Sequence, residues 1–329
     1  MFGTIKKHLN GKMPFSNILR FNKLNSSIPE PPWEYDFLLN LPQIEYPKYL
    51  AKAYKYRTNE DLPLSFDIKN GSFVIDKAKC KTYNQKMQWL KLYDATPLKK
   101  LCTDKVTARN YVQEKIGAQY LKPVLQICNS FDEINFDTLP DCFIMKCSHG
   151  CKWQFSIRNK NDFLSSKRTF FDVKQQMKGW LEQEYWCWGG FELTYKDISP
   201  KIIIEEYLGF NEKTPLQEIE VYCFSSVPKL IKKVHNDVPN KLTMYDENFN
   251  CINFKFLDKE FLTVASADET IKKATELSKI LSKDFKFVRV DWINIKDKLY
   301  FNELTFSPNS GFINFDPVWN EKLGDFIKI

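Results

Sequence analysis

The sequence predicts an α+β protein made of two or three subdomains. Strand-like runs rich in β-branched and aromatic residues occur at 142–147, 200–208 and 285–305, and helix-spaced apolar residues occur at 83–93 and 268–281. At 329 residues with 43% hydrophobic content, the chain is too long for one minimal core and apolar enough for a buried interior. No apolar run approaches a membrane span, and MFGTIKKHLNGKMPF lacks the continuous apolar core of a signal peptide. The nine cysteines lack the dense spacing of a disulfide framework, so a reducing cytoplasm is the simplest compartment. The net charge of +7, mostly lysine, favours anionic ligands without singling out nucleic acid, and no nucleic-acid partner is expected.

Taken in order, Phe2, Ile5 and Leu9 suggest a packed N-terminal helix, with weak membrane-surface contact as the alternative. Pro29, Pro31, Pro32, Pro42 and Pro47 then punctuate the chain as turns. The stretch YNQKMQWLKLY, 83–93, has helical spacing. A second helix is expected from Thr103 or Asp104 to Gly117, with Lys105 in its first turn. A lysine there opposes the helix dipole, so it reads either as a solvated surface residue or as part of an anion site. Residues 142–147 read as a buried strand with Lys146 near its end, a charge that needs a partner or ligand. The loop Ser148–Trp153 follows, a plausible phosphate cradle, and Gln154–Ile157 reads as the next strand. Cys147, His149 and Cys151 lack a fourth zinc ligand at recognisable spacing.

A helical stretch is expected near Val173–Trp188, then the apolar strand PKIIIEEYLGF. The end of that strand, Glu205–Leu208, is either a core strand running into a charged loop or a hinge for an adenine edge, with a carboxylate reaching the ribose. A hairpin is expected over 219–234 across Ser225–Pro228, and a helix at 268–281 behind a Ser266–Glu269 capping box. The last hairpin, FKFVRVDWINIKDKLYFNELTFSPNSG, turns near Lys296–Lys298. Arg289 and Asp291 share one strand face, and Glu303 and Thr305 share one. With an odd number of turn residues the two faces coincide and the carboxylates of 291 and 303 lie opposite. Like charges so placed need a cation between them, and two hard carboxylates suit Mg²⁺. The alternative is an ordinary hairpin with its polar side in solvent.

From Tyr83 to the C-terminus the segments YNQKMQWLKLYDATPL, TDKVTARNYVQEKIG, FIMKCSHG, PKIIIEEYLG, FVRVDW, YFNELTFSPNSGF and FDPVWNEKLGDFIKI resemble the TupA-like ATP-grasp family. The resemblance implies an ATP-grasp fold, with two α+β lobes clasping ATP beside an N-terminal region. It implies divisions at 1–104, 105–208 (the lid) and 209–329 (the metal-hairpin lobe). Lys105 and Lys146 look like the lysines holding the ATP phosphates, with Ser148 and Gly150 in the covering loop. Glu205, Glu206, Tyr207 and Leu208 look like the adenine hinge, with Glu218 also on the nucleotide side. Arg289, Lys146 and His149 take catalytic roles, and Asp291, Glu303 and Thr305 the metal. Three departures stand out: Thr305 replaces a common Asn, HGCKWQ replaces a loop of small residues, and Glu220 replaces a lysine.

The implied activity is an ATP- and Mg²⁺-dependent carboxylate–amine ligase working through an acyl phosphate. Its acceptor would be a uronic-acid glycan or nucleotide sugar of a cell-surface polysaccharide, and its donor an amino acid or small amine. The expected location is cytoplasmic, with peripheral contact to the inner face of the membrane left open. A glycosyltransferase is the competing reading, although no DxD motif occurs. A non-catalytic nucleotide- or glycan-binding protein is another.

Overall fold

The structure is a computed structural model that describes residues 35–188, 190–208, 217–235, 241–253, 260–261 and 266–329. The expectations about Phe2, Ile5, Leu9, Pro29, Pro31, Pro32 and Phe210 lie outside the described residues. The N-terminal part comprises α1 (Tyr35–Asn40), α2 (Tyr46–Thr58) and the hairpin β1 (Leu64–Asp67) and β2 (Ser72–Ile75). Helix α3 (Tyr83–Tyr93) starts at Thr82, whose hydroxyl accepts from the Gln85 amide while Gln85 reaches back to the cap.

Two helices, not one, occupy the next segment: α4 (Pro97–Thr103) and α5 (Ala108–Ile116). Thr96 caps α4 and Pro97 opens it, a helix the sequence reading did not expect. The expected helix is α5, which ends before Gly117 as expected but starts at Ala108, later than Thr103 or Asp104. Asp104 then turns extended, with φ −70° and ψ 121°. Lys105 therefore sits in the turn between the helices, and its backbone N–H donates to the Ser148 carbonyl at 3.2 Å.

The middle of the chain forms a four-stranded antiparallel sheet from β3 (Val124–Cys128), β4 (Phe143–Cys147), β5 (Gln154–Ile157) and β6 (Ile202–Glu206), in the order β3-β6-β4-β5. Between β5 and β6 run α6 (Lys160–Ser165), α7 (Lys167–Leu181) and α8 (Tyr185–Trp188). The single helix expected near Val173–Trp188 is two helices, because the Ser166 hydroxyl caps α7 early and α7 ends at Leu181. Helix α7 packs Val173, Met177 and Trp180 against Phe143, Met145 and Ile204 of the sheet.

The second sheet has six strands: β7 (Gln217–Phe224), β8 (Val227–His235), β9 (Lys241–Asp246), β10 (Glu260–Phe261), β11 (Phe287–Ile295) and β12 (Lys298–Thr305), ordered β10-β9-β8-β7-β11-β12. Helix α9 (Glu269–Leu281) buries Ile271, Ala274, Leu277 and Leu281 on one face against Val221, Val288, Val290 and Trp292. Its cap is Asp268 rather than Ser266: the Asp268 carboxylate accepts from the Ile271 amide at 2.9 Å. The opposite face is divided. Tyr222, Phe224, Leu230 and Phe287 lie under α3 and α10 (Pro317–Phe326), while the rest of that face carries charged side chains.

The hairpin β11–β12 explains how those charges meet. Its turn has two residues, Lys296 and Asp297, both left-handed (φ 49° and 62°), and Ile295 pairs with Lys298. An even turn by itself would put 291 and 303 on opposite faces, contrary to the odd-turn expectation. A β-bulge corrects the parity: Trp292 pairs with Phe301, yet Asp291 pairs with Glu303, leaving Asn302 as the extra residue. A parallel bridge between Leu121 and Phe301 ties the segment entering the first sheet to this strand.

Candidate functional site

The site lies where the two sheets approach. On β11 and β12, the Arg289 guanidinium forks onto Asp291, with Nε donating to Oδ1 at 2.7 Å and Nη2 to Oδ2 at 2.6 Å. The Thr305 hydroxyl lies 3.2 Å from Asp291 Oδ2 and 3.3 Å from Glu303 Oε1, so it links the two carboxylates. Glu220, opposite Asp291 on β7, pairs with Arg289 at 3.4 Å and with Lys232 of β8 at 2.6 Å. The cation that the opposed carboxylates require is therefore partly protein. Burial pushes the Asp291 carboxyl up, Glu220 and Glu303 add to that, and Arg289 opposes it.

Glu303 behaves differently. Burial disfavours its charge, yet Lys105, Arg289, Lys146 and Lys122 together hold its carboxyl below the usual range. Three of those cations come from the other side of the cleft. Lys146, on β4, meets Glu205 of β6 at 2.7 Å, and Lys122 meets the same carboxylate at 3.1 Å. Glu205 is held at about 2 by these two lysines despite burial. Lys105 Nζ donates to the Gly150 carbonyl at 2.5 Å.

Asp291, Glu303 and Thr305 present hard oxygen donors on one sheet face, which fits Mg²⁺. Among the described residues no three His, Cys, Asp or Glu side chains converge as a metal cage. Mg²⁺ does not need one, since one or two carboxylates with water and phosphate oxygens complete its shell. A groove of about 700 Å³ lined by Tyr120, Asp268, Lys273 and Lys298 shares no residue with this site.

Other expected site residues are placed otherwise. Glu205 is consumed by Lys122 and Lys146, so it is a lysine-orienting carboxylate rather than one reaching a ribose. Glu206 is exposed at the strand end, and Tyr207 and Leu208 follow it half-buried. Glu218 is exposed on β7, across from Ile293 and Val234, beyond the Arg289–Asp291 pair. Ser148 is fully buried, its hydroxyl accepting from the Lys201 amide at 3.3 Å, so it shapes the loop rather than facing a ligand.

His149 is also turned inward. Its Nε2 donates to the Trp180 carbonyl at 3.0 Å, its ring meets Trp153 edge-on, and Nδ1 has no hydrogen-bond partner. This packing, and not a catalytic position, accounts for the residue. Burial is the main reason that its pKa falls from 6.5 to about 4. A base depressed in the folded state takes up fewer protons there than in the unfolded chain. Stability is therefore full above pH 6.5 and declines as pH falls towards 4. The expected loss from this group is about 3 kcal/mol. Denaturant unfolding of wild type and His149→Asn at pH 7.5 and 4.5 checks this, since the mutant should lose less between the two.

Gly150 is required by close approach. A Cβ there would overlap the Trp153 ring, which itself stacks on Trp180. Gly150→Ala should lower stability by about 1–3 kcal/mol through overpacking, read as a drop in melting temperature.

Lys122, Asn302 and Lys232 were not singled out from the sequence. Lys122 had a usable signal: a lone lysine in Tyr120–Val124, leading into a strand, invites the same question as Lys146. Lys232 is found only through its register opposite Glu220.

A lysine-bearing sheet facing a carboxylate-bearing hairpin is the arrangement that the resemblance to the ATP-grasp class of ATP-dependent ligases implies. The TupA-like ATPgrasp family model matches residues 85–328, and the chain belongs to that family. A comparison with curated proteins gave no match. Similar solved structures include D-alanine–D-alanine ligase from Bacillus anthracis complexed with ATP (13% identity, covering 63% of this chain and 54% of that one, TM-score 0.37). The Helicobacter pylori D-alanine–D-alanine ligase is another (13%, 80% and 77%, TM-score 0.39). A third is the ATP-grasp ligase PsnB complexed with minimal precursor, Mg and ADP (11%, 88% and 97%, TM-score 0.39). The chain thus spans little more than half the length of the Bacillus anthracis ligase. These likenesses are remote, and the assignment rests on the family match. Among the described residues, no helix is long and apolar enough to cross a membrane.

Proposed function

We propose that the protein is an ATP-dependent carboxylate–amine ligase that forms an amide through an acyl phosphate. The observation that supports this reading best is Glu303, a half-buried carboxylate opposite Asp291 on the hairpin, whose charge is favoured by Lys105, Lys146 and Lys122 from across the cleft. A carboxylate attacking a triphosphate must overcome charge repulsion and be held in line. Lys105 and Lys146 take phosphate oxygens. Asp291, Glu303 and Thr305 would hold Mg²⁺, which supplies charge neutralisation between the phosphates. Arg289, already forked on a carboxylate, stands beside them as the cation for the transferred phosphoryl group.

In the first step an oxygen of the acid attacks the γ-phosphorus and ADP leaves, giving the acyl phosphate. In the second the amine attacks the acyl carbon, inorganic phosphate leaves, and the amine nitrogen loses a proton to yield the amide. Residues 105–208 act as the lid and 209–329 as the metal lobe, beside an N-terminal region, 1–104. The family resemblance favours a uronic-acid sugar of a cell-surface polysaccharide as the acid, with an amino acid or small amine as donor, in the cytoplasm, and the +7 charge is compatible with an acidic substrate. The test is Mg²⁺-dependent ADP release, which should rise only when acid and amine are present together. Binding of a UDP-sugar in preference to ATP would reject the ligase reading.

A further inference from the structure

We propose that Lys122 is a positioning residue that sets the separation of the two sides of the cleft, by holding Glu205 of one sheet and Asn302 of the other on a single ammonium group. Its Nζ lies 3.1 Å from Glu205 Oε2 and donates to Asn302 Oδ1 at 2.9 Å. These partners are not arbitrary. Glu205 is the carboxylate that orients Lys146, and Asn302 is the bulge residue that brings Glu303 opposite Asp291. One side chain therefore touches the neighbour of a phosphate lysine and the neighbour of a metal carboxylate.

The backbone around Lys122 is pinned from several directions. The Arg109 guanidinium donates to its carbonyl at 2.9 Å, Leu121 bridges Phe301, and Pro123 follows with its fixed φ. The residue is only 5% exposed, so its charge has no solvent route around these partners. Burial, and next Lys146, push its pKa down to about 8, against the pull of Glu205. It stays mostly charged at neutral pH, and the link between the sheets is ionic on one side and a charge-assisted hydrogen bond on the other.

Lysine reaches both partners with three donors on one nitrogen, whereas methionine of similar length reaches neither. Loss of the ammonium should free the bulge and loosen Glu303, while Lys146 keeps Glu205 to itself. The effect falls on the metal side more than on the phosphate side. Residues that orient metal ligands typically change metal affinity by about 10–100-fold.

The inference rests on the proposed Mg²⁺–ATP site, and the experiment separates the two. Thermal shift with ATP is followed as a function of Mg²⁺ for wild type, Lys122→Met, Lys122→Arg and Asn302→Ala. The Mg²⁺ midpoint should rise about ten-fold in Lys122→Met and in Asn302→Ala, with a partial return in Lys122→Arg. ATP affinity at saturating Mg²⁺, measured by calorimetry, should change far less. If wild type binds Mg²⁺–ATP but Lys122→Met and Asn302→Ala keep its Mg²⁺ midpoint, the positioning role is overturned and the ligase reading stands. An equal loss of ATP affinity at all Mg²⁺ concentrations also overturns it, and makes Lys122 a general phosphate charge. Should Lys122→Met fail to fold, the Asn302→Ala midpoint alone decides. A wild type with no Mg²⁺-dependent ATP binding removes the site reading and the inference together.

Discussion

Glu303→Gln is expected to abolish Mg²⁺-dependent ligation while the protein stays folded. The substitution keeps the shape of the side chain and removes its charge, which is the property that three lysines and an arginine around it depend on. Glutamine offers one neutral oxygen where the carboxylate offers two charged ones, and a hard divalent cation is held mainly by charge. The loss in kcat should be on the order of 10³-fold, comparable to removing a pre-organised charge-stabilising group from a water-excluded site. Helix α9 and its apolar contacts lie on the other face of the sheet, so the melting curve should remain cooperative. Full ADP release in the mutant would take Glu303 out of the metal site.

Lys146→Ala is expected to weaken ATP binding while leaving Lys122 on Glu205. The lost interaction is a charge-assisted hydrogen bond to phosphate, worth about 1.5–3 kcal/mol, which corresponds to roughly 10–150-fold in affinity. In the absence of nucleotide the mutant retains one of the two cations on the buried Glu205 carboxylate, which limits the damage to the fold. Calorimetric titration with ATP and saturating Mg²⁺ measures the effect directly. Unchanged affinity would place the phosphates elsewhere.

Much of this site was legible in the chain because strands alternate their faces. Arg289, Asp291, Glu303 and Thr305 converge as that alternation predicts, and Lys146 ends its buried strand where a charge needed a partner. The route to the convergence was not legible. Nothing local announces that Asn302 bulges, and the odd turn assumed from sequence gave the right pairing for a reason the backbone does not use. Helix starts were less legible: Thr103 and Asp104 end one helix, begun by Thr96 and Pro97, and the expected helix starts only at Ala108, while Asp268 rather than Ser266 caps α9. The inward turn of Ser148 and His149 depends on Lys201 and Trp180, which lie far along the chain and cannot be read from a loop motif. Lys122 was hidden for the same reason, since both its partners come from other elements.

The one-residue bulge in β12 also governs how this hairpin can change through descent. A side chain can be exchanged between Asp291 and Glu303 without moving the others, but a single insertion or deletion there sends every later residue of the strand to the reverse face. Glu303 and Thr305 would then be driven against α9, among Val288, Val290 and Trp292. Insertions of two residues at the Lys296–Asp297 tip avoid that penalty. Among active relatives, the spacing between the aspartate and the glutamate should therefore vary in even steps, and an odd step should coincide with loss or gain of a bulge.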